Sequence, residues 1–288
     1  MVRTALAVLI ALLAAGCSSR PRIVVGSKNF TEQVVLGELV AQQIERRLGI
    51  EVDRKLNLSG TLLAHEALKS GSIDLYPEYT GTALTAVLKA PVESDRSAVL
   101  ARVREGYKQW GLTWMEPLGF DNTFAMVVRT DMARQLNLIT LSDAAKRAEP
   151  WRLGVGYEFV QRPDGLKGLV AMYGLRLSGA PMTMDLGLLY PALQAGRIEM
   201  GAASATDGLL ARSEFTMLVD DRQYFPPYEC AIVTREDAFA LHPKLRAALE
   251  ELSGHISDVE MRRMNAAVDT EHRSVAEVAR EFLTRMGS

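Results

Sequence analysis

The stretch A-L-K-S-G-S-I-D-L at 67–75 returns, without a gap, as A-L-Q-A-G-R-I-E-M at 192–200. Both copies read as a helix end, a glycine turn and a strand carrying one acidic residue. A second pair follows the same order: R-I-V-V-G at 22–26 and R-L-G-V-G at 152–156 each read as a short buried strand running into glycine. A helix–glycine–strand unit is common in α/β proteins, so the weight rests on two echoes arriving in one order. Together they restrict the chain to two similar lobes of alternating strands and helices, with parallel βαβ units in each.

The intervening segments fit that frame. N-F-T-E at 29–32 reads as a helix start with Asn29 as N-cap and Glu32 three residues on. The helix would bury Val35, Leu36, Leu39, Val40, Ile44 and Leu48 and stop at Gly49. Residues 51–58 offer a second strand, 65–70 a short helix, and 73–76 a third strand that Pro77 would break. A strand at 121–128 would cross from the first lobe to the second, and one at 229–234 would return. The tail from 243 to 286 reads as helices, with Leu245, Leu249 and Leu252 on one stripe and Val275, Val278 and Phe282 on another. The expected fold is therefore α/β, a clamshell of two lobes joined by two crossing strands. Residues 23–126 plus 230–288 form lobe I, and 127–229 form lobe II. Ligands of open parallel sheets bind beyond the carboxyl ends of the strands, and here those ends would face each other across a cleft.

The first residues read as an export signal. Arg3, an apolar run from Ala5 to Ala15 and small residues before Cys17 fit a secretory h-region, too short for a permanent membrane span. A-A-G-C resembles a bacterial lipobox, so 1–16 is expected to be a lipoprotein signal peptide, Cys17 the lipidated residue and 17–22 a tether. That places the mature chain in a periplasm or on the outer face of the cytoplasmic membrane. Cys230 is then a lone thiol with no disulfide partner. The formal net charge of −2, with scattered Lys and Arg, argues against nucleic acid as a partner. Four histidines and two cysteines, none at ligand spacing, argue against a zinc site, and no cofactor is expected.

Enzyme signatures are mostly missing: there is no G-x-S-x-G, no H-E-x-x-H and no G-x-x-x-x-G-K-[ST]. What remains is a set of strand-end residues of one chemical type. Tyr79, Phe124 and Tyr228 are aromatics at turns or strand ends, the last on the stiff F-P-P-Y of 225–228. Arg162 lies just after a strand of the second lobe and Lys28 at the matching place in the first, ahead of a helix N-terminus that favours anions. Each alone has an ordinary explanation in core packing or solvent exposure. In combination they offer aromatic faces for a cation that cannot donate hydrogen bonds and cations for an acid group.

V-G-S-K-N-F-T-E-Q, D-L-Y-P-E-Y-T-G-T, G-F-D-N-T-F-A, the E-F-x-x-R-x-D-G of 158–165, A-T-D-G and D-D-R-Q-Y-F-P-P-Y, in this order across nearly the whole mature chain, resemble one family. It is the extracytoplasmic substrate-binding proteins of ABC importers for glycine betaine, choline and related osmoprotectants. The resemblance implies a type II periplasmic-binding-protein fold, a quaternary ammonium ligand, a permease and ATPase complex as partner, and action as a monomer without catalysis. It places Tyr79, Phe124, Ser204 and Tyr228 at the positions of an aromatic box, and Lys28, Thr82 and Arg162 at those that hold the carboxylate of betaine. Two departures stand out. Phe124 lacks the hydroxyl of the tyrosine common there, and Ser204 replaces an aromatic wall, for which Tyr157 or Tyr190 are the available substitutes. Three rival readings stay open: a clamshell for another small zwitterion such as an amino acid derivative, a ligand-sensing module without transport, and an enzyme using Asp207 or Glu229 as acid–base residue.

Overall fold

The computed structural model of the chain describes residues 22–287. The expected signal peptide, Cys17 and nearly all of the tether lie outside the described residues. Ten strands form two five-stranded mixed sheets: β1 (Ile23–Gly26), β2 (Val52–Lys55), β3 (Leu75–Tyr79), β4 (Leu112–Trp114), β5 (Phe124–Arg129), β6 (Leu153–Val155), β7 (Met182–Thr183), β8 (Met200–Ser204), β9 (Phe215–Leu218) and β10 (Cys230–Arg235). The first sheet runs β2-β1-β3-β10-β4 and the second β7-β6-β8-β5-β9. The two orders are the same order, with β6, β7, β8, β5 and β9 standing for β1, β2, β3, β10 and β4. In each sheet the fourth strand is antiparallel to its neighbours. It is also the strand that crosses between lobes.

The repeat seen in the sequence reaches down to single hydrogen bonds. Gly71 and Gly196 both take positive φ, +74° and +64°. The next amides, of Ser72 and Arg197, donate to Ala67 and Ala192 at 2.9 Å each. The acidic residue of each copy then fixes the strand start. Asp74 and Glu199 donate their own N–H groups to the Val24 and Arg152 carbonyls at 2.8 Å, and their carboxylates accept the Val24 and Arg152 N–H groups at 2.8 and 3.2 Å. These contacts correct the register of the second echo. Val25 pairs with Leu75 and Leu153 with Met200, so Gly26 corresponds to Gly154, two residues from the expected Gly156. Packing is the reason: a Cβ on Gly26 or on Gly154 would meet Ile73 Cδ1 at 2.5 Å or Ile198 Cδ1 at 2.4 Å.

Three local expectations need correction. Asn29 does not cap the first helix, Thr31–Leu48; its N-cap residue is Phe30, whose side chain has no acceptor to offer, and Glu32 points instead into the seam between the lobes. Its end at Gly49, with φ of +68°, and its buried stripe from Val35 to Ile44 are as expected. Pro77 does not break β3. The Ile232 carbonyl accepts from Met115, so the Ile232 main chain faces β4, and its pairing with Pro77 is of the kind without hydrogen bonds. The missing proline donor points toward β1, where pairing has ended at Leu75. Finally, Phe124, Ala125 and Met126, expected on the lobe I side, lie on β5 of the second sheet.

The crossing segments touch as they pass. Asp121 and Glu229 form an antiparallel bridge, Tyr228 N–H donates to Asp121 Oδ1 at 2.9 Å, and Arg96 pairs with both acids at 2.7 and 3.3 Å. Helices Leu245–Glu250, Asp258–Asp269 and Val275–Met286 cover Thr31–Leu48. The middle one also grips the second lobe: Arg262 Nε donates to the Ala205 carbonyl and Asn265 Nδ2 to that of Thr206, both at 2.8 Å.

Candidate functional site

β3 and β8 end at Tyr79 and Ser204, equivalent positions in the two lobes. Their cross-strand partners are Cys230 and Phe124, the first residues of β10 and β5. Each lobe thus carries one ring and one small residue at this pair, with the strands exchanged. The ring beside Ser204 is that of Phe124, on the neighbouring strand. Tyr190 is packed inside the second lobe against Phe215, ring centroids 4.8 Å apart, and Tyr157 is 59% exposed; neither makes a ring contact with the cluster described below.

On the first lobe, Lys28 is buried, its Nζ 2.6 Å from Glu78 Oε1 and 3.3 Å from Thr61 Oγ1. The ammonium also lies 4.5 Å from the Tyr79 ring centroid and 5.8 Å from that of Phe30, and these two rings stack 6.3 Å apart. Glu78 takes two more donors, Tyr76 OH at 3.1 Å and Tyr79 N–H at 2.7 Å. On the second lobe, Arg162 forks onto Asp164, Nε to Oδ1 at 2.9 Å and Nη2 to Oδ2 at 2.7 Å. Tyr228 OH bonds the same carboxylate. The guanidinium sits 5.4 Å from the Phe124 centroid and 5.7 Å from that of Tyr228. Phe159 and Phe225 back Phe124 at 4.8 and 5.6 Å. Burial alone would disfavour the charged guanidinium, but the bonds to Asp164 and Tyr228 outweigh it and raise its pKa.

Glu32 joins the lobes. Its Oε1 accepts from Tyr79 OH at 2.6 Å and Asn122 Nδ2 at 2.8 Å, and its Oε2 from the Thr206 hydroxyl and from Asn265 Nδ2 at 3.0 Å. Burial raises its pKa, and the four donors pull the other way. Thr85 Oγ1 lies 3.4 Å from Asp164 Oδ2, and a Cβ on Gly81 would sit 3.0 Å from the Tyr228 ring, so the lobes meet there as well. Thr82 is buried on the short helical turn Thr80–Thr82 beside this contact, and its hydroxyl takes no part in the bonds named here.

The structure therefore gathers Lys28 with Tyr79, Arg162 with Phe124 and Tyr228, and Ser204 beside Phe124, with Thr82 on the adjoining turn. What sequence reasoning missed are the anions and their donors: Glu78, Asp164, Glu32, Asn122, Thr206 and Asn265. Asp164 has a local signal, two residues after Arg162 in E-F-x-x-R-x-D-G; Glu32, three residues after Asn29, has the spacing of a capping box, which masks its role. The rival acid–base candidates have other work. Asp207 accepts Leu209 N–H at 3.1 Å at the head of a short turn, its pKa pushed up to about 6 by burial. Glu229 pairs with Arg96 where the lobes join.

A family profile described as the substrate binding domain of ABC-type glycine betaine transport systems matches residues 21–285. A glycine-betaine-binding protein of Pseudomonas aeruginosa is 33% identical over 282 residues, 94% of this chain and 90% of that protein. The carnitine transport binding protein OpuCC of Listeria monocytogenes is 31% identical over 273 residues, 94% of this chain and 88% of that protein. A crystal structure described as a glycine betaine/carnitine/choline ABC transporter superposes with a TM-score of 0.82 at 30% identity, over 92% of this chain and 98% of that one.

Proposed function

Because the chain belongs to the OpuAC family, the substrate-binding domains of ABC-type glycine betaine transport systems, we propose that it captures a quaternary ammonium compound between its lobes and delivers it to an ABC permease. Its fold is the two-lobed type II clamshell of that family. One observation carries the ligand class. At both strand ends a cation already lies on aromatic faces, Lys28 on Tyr79 and Arg162 on Phe124 and Tyr228. Such faces attract an onium group whose only handle is its charge.

In this reading an open form admits the ligand, and the onium takes the ring faces of Phe124, Tyr228 and Tyr79. Arg162 and Lys28 shift from rings to the ligand's acid end, with Thr82 beside them. Closure about the 121–122 and 228–229 crossing buries the ligand, and the permease reads the closed shape. The protein binds and releases without altering its ligand, acts as a monomer, and is exported and held at the membrane by a lipid on Cys17.

Thermal-shift titration of the mature chain with glycine betaine, choline, carnitine and proteinogenic amino acids tests the ligand class. Ligand at 100 times its Kd stabilises by about 2.7 kcal/mol, so even weak binders show at millimolar concentration. An onium compound that raises Tm while amino acids do not supports the reading. No shift with any onium compound would sink it.

A further inference from the structure

Ser204 stands where a fourth ring is lacking, and the network around it allows its hydrogens to be counted. Glu32 receives four donors on two oxygens, from Tyr79, Asn122, Thr206 and Asn265. That fills the acceptor positions of a carboxylate and leaves no site for an acid proton. The Thr206 and Tyr79 hydroxyls have one hydrogen each, and both point at Glu32. The two amide hydrogens of Asn265 go to Glu32 and to the Thr206 carbonyl. Since Asn122 presents its amide hydrogens to Glu32, its carbonyl oxygen faces Ser204 and takes the only hydrogen that Ser204 has. Ser204 Oγ and Thr206 Oγ1, 3.2 Å apart, therefore have no hydrogen left to share between them. Thr206 is fully buried, while Ser204 is half-buried at the cleft end of β8. Its oxygen is an acceptor with free lone pairs, backed by a carboxylate one amide away.

We propose that Ser204 forms an acceptor subsite that selects, among onium carboxylates, those bearing a hydroxyl or N–H on the skeleton between the two charged ends. This rests on the onium-binding reading above and sharpens it. A ring at this position would offer a face to any methylated cation. An oxygen offers one directed bond, strengthened by the nearby negative charge, and only a ligand with a donor completes it.

The test is calorimetric titration with 4-(trimethylammonio)butanoate and its 3-hydroxy derivative, which differ by one hydroxyl. In the wild-type chain the hydroxylated compound binds about three- to tenfold tighter, the worth of one hydrogen bond. Ser204→Ala brings the two affinities to within about twofold by weakening the hydroxylated compound alone, at the scale of that one bond. Ser204→Thr, which keeps the oxygen, keeps the preference. Equal affinities in the wild type, tighter binding of the unsubstituted compound, or a preference that survives Ser204→Ala each overturn the subsite while leaving onium binding intact. If neither compound, nor glycine betaine, nor choline binds, the onium reading itself fails and the subsite goes with it.

Discussion

Lys28 and Arg162 repeat one arrangement: a cation on an aromatic face, buried at Lys28 and partly buried at Arg162, held by a carboxylate that is itself fully buried. Removing one member of such a pair strands the other. Lys28→Met leaves Glu78 charged and buried, and about 3–5 kcal/mol of stability should be lost. Lys28→Met combined with Glu78→Gln, whose amide oxygen can still accept from Tyr79 N–H while its NH2 donates to the Tyr76 hydroxyl, should recover most of it. Urea denaturation of the two variants decides; equal losses would show that the pairing itself matters little. Asp207 gives a pH signature. Burial lifts its folded pKa from the ordinary 3.8 to about 6, so the folded state holds the proton more tightly. The associated stability is present at low pH and lost as pH rises from about 4 to 6, up to about 3 kcal/mol. Asp207→Asn keeps an acceptor for Leu209 and does not titrate, so its stability relative to wild type should climb across that window; a flat difference would refute the assignment. At this scale the sequence showed cations and rings but not the groups opposing them. Lys28 meets Glu78 fifty positions away, and nothing local to Glu32 announces Thr206 or Asn265.

The element that carried most information is the glycine turn between helix and strand, in both copies. Left-handed backbone at Gly71 and Gly196 costs an L-residue about 1 kcal/mol or more. Gly196→Ala should lose about that much, since its new Cβ would lie 3.7 Å from the nearest heavy atom. Gly71→Ala should lose more. Its Cβ would come within 2.6 Å of Arg235 Nη1, which donates to the Leu68 carbonyl at 3.2 Å, and displacing it forfeits that bond. Thermal melts of both variants check the ranking, and equal losses would deny Arg235 this role. Helices, strands and their alternation were legible here because periodicity and turn residues are local properties. What was not legible depends on neighbours. Pro77 sits within β3 because the β1 side has no partner for it, and the echo of β1 in β6 is set by an isoleucine packing on glycine. A further likeness joins the ends of β5 and β10: Arg129 and Arg235 each bond the acid two residues on and the carbonyl of a helix end, Leu193 or Leu68.

Across the whole molecule the two sheets share one strand order but differ in where their strands come from. All five strands of the second sheet lie between Phe124 and Leu218, while β10, which separates β3 from β4 in the first, begins only at Cys230. The closure of a longer loop delays pairing, so on refolding the second sheet should form first. Pulse-labelled hydrogen exchange should find amides of β5 and β8 protected before those of β10 and β4, and simultaneous protection would count against this order. The fourth-strand position has a further consequence, measured on the clock of synthesis. A chain leaving the ribosome completes β4 long before β10 exists. At ~5–20 residues per second, β3 waits roughly 8–30 s with a bare edge, the kind of edge to which stray strands attach. Of the two strands that join the lobes in the finished protein, β10 is thus the last to arrive, and until it does the first half of the chain is a sheet with its fourth strand missing.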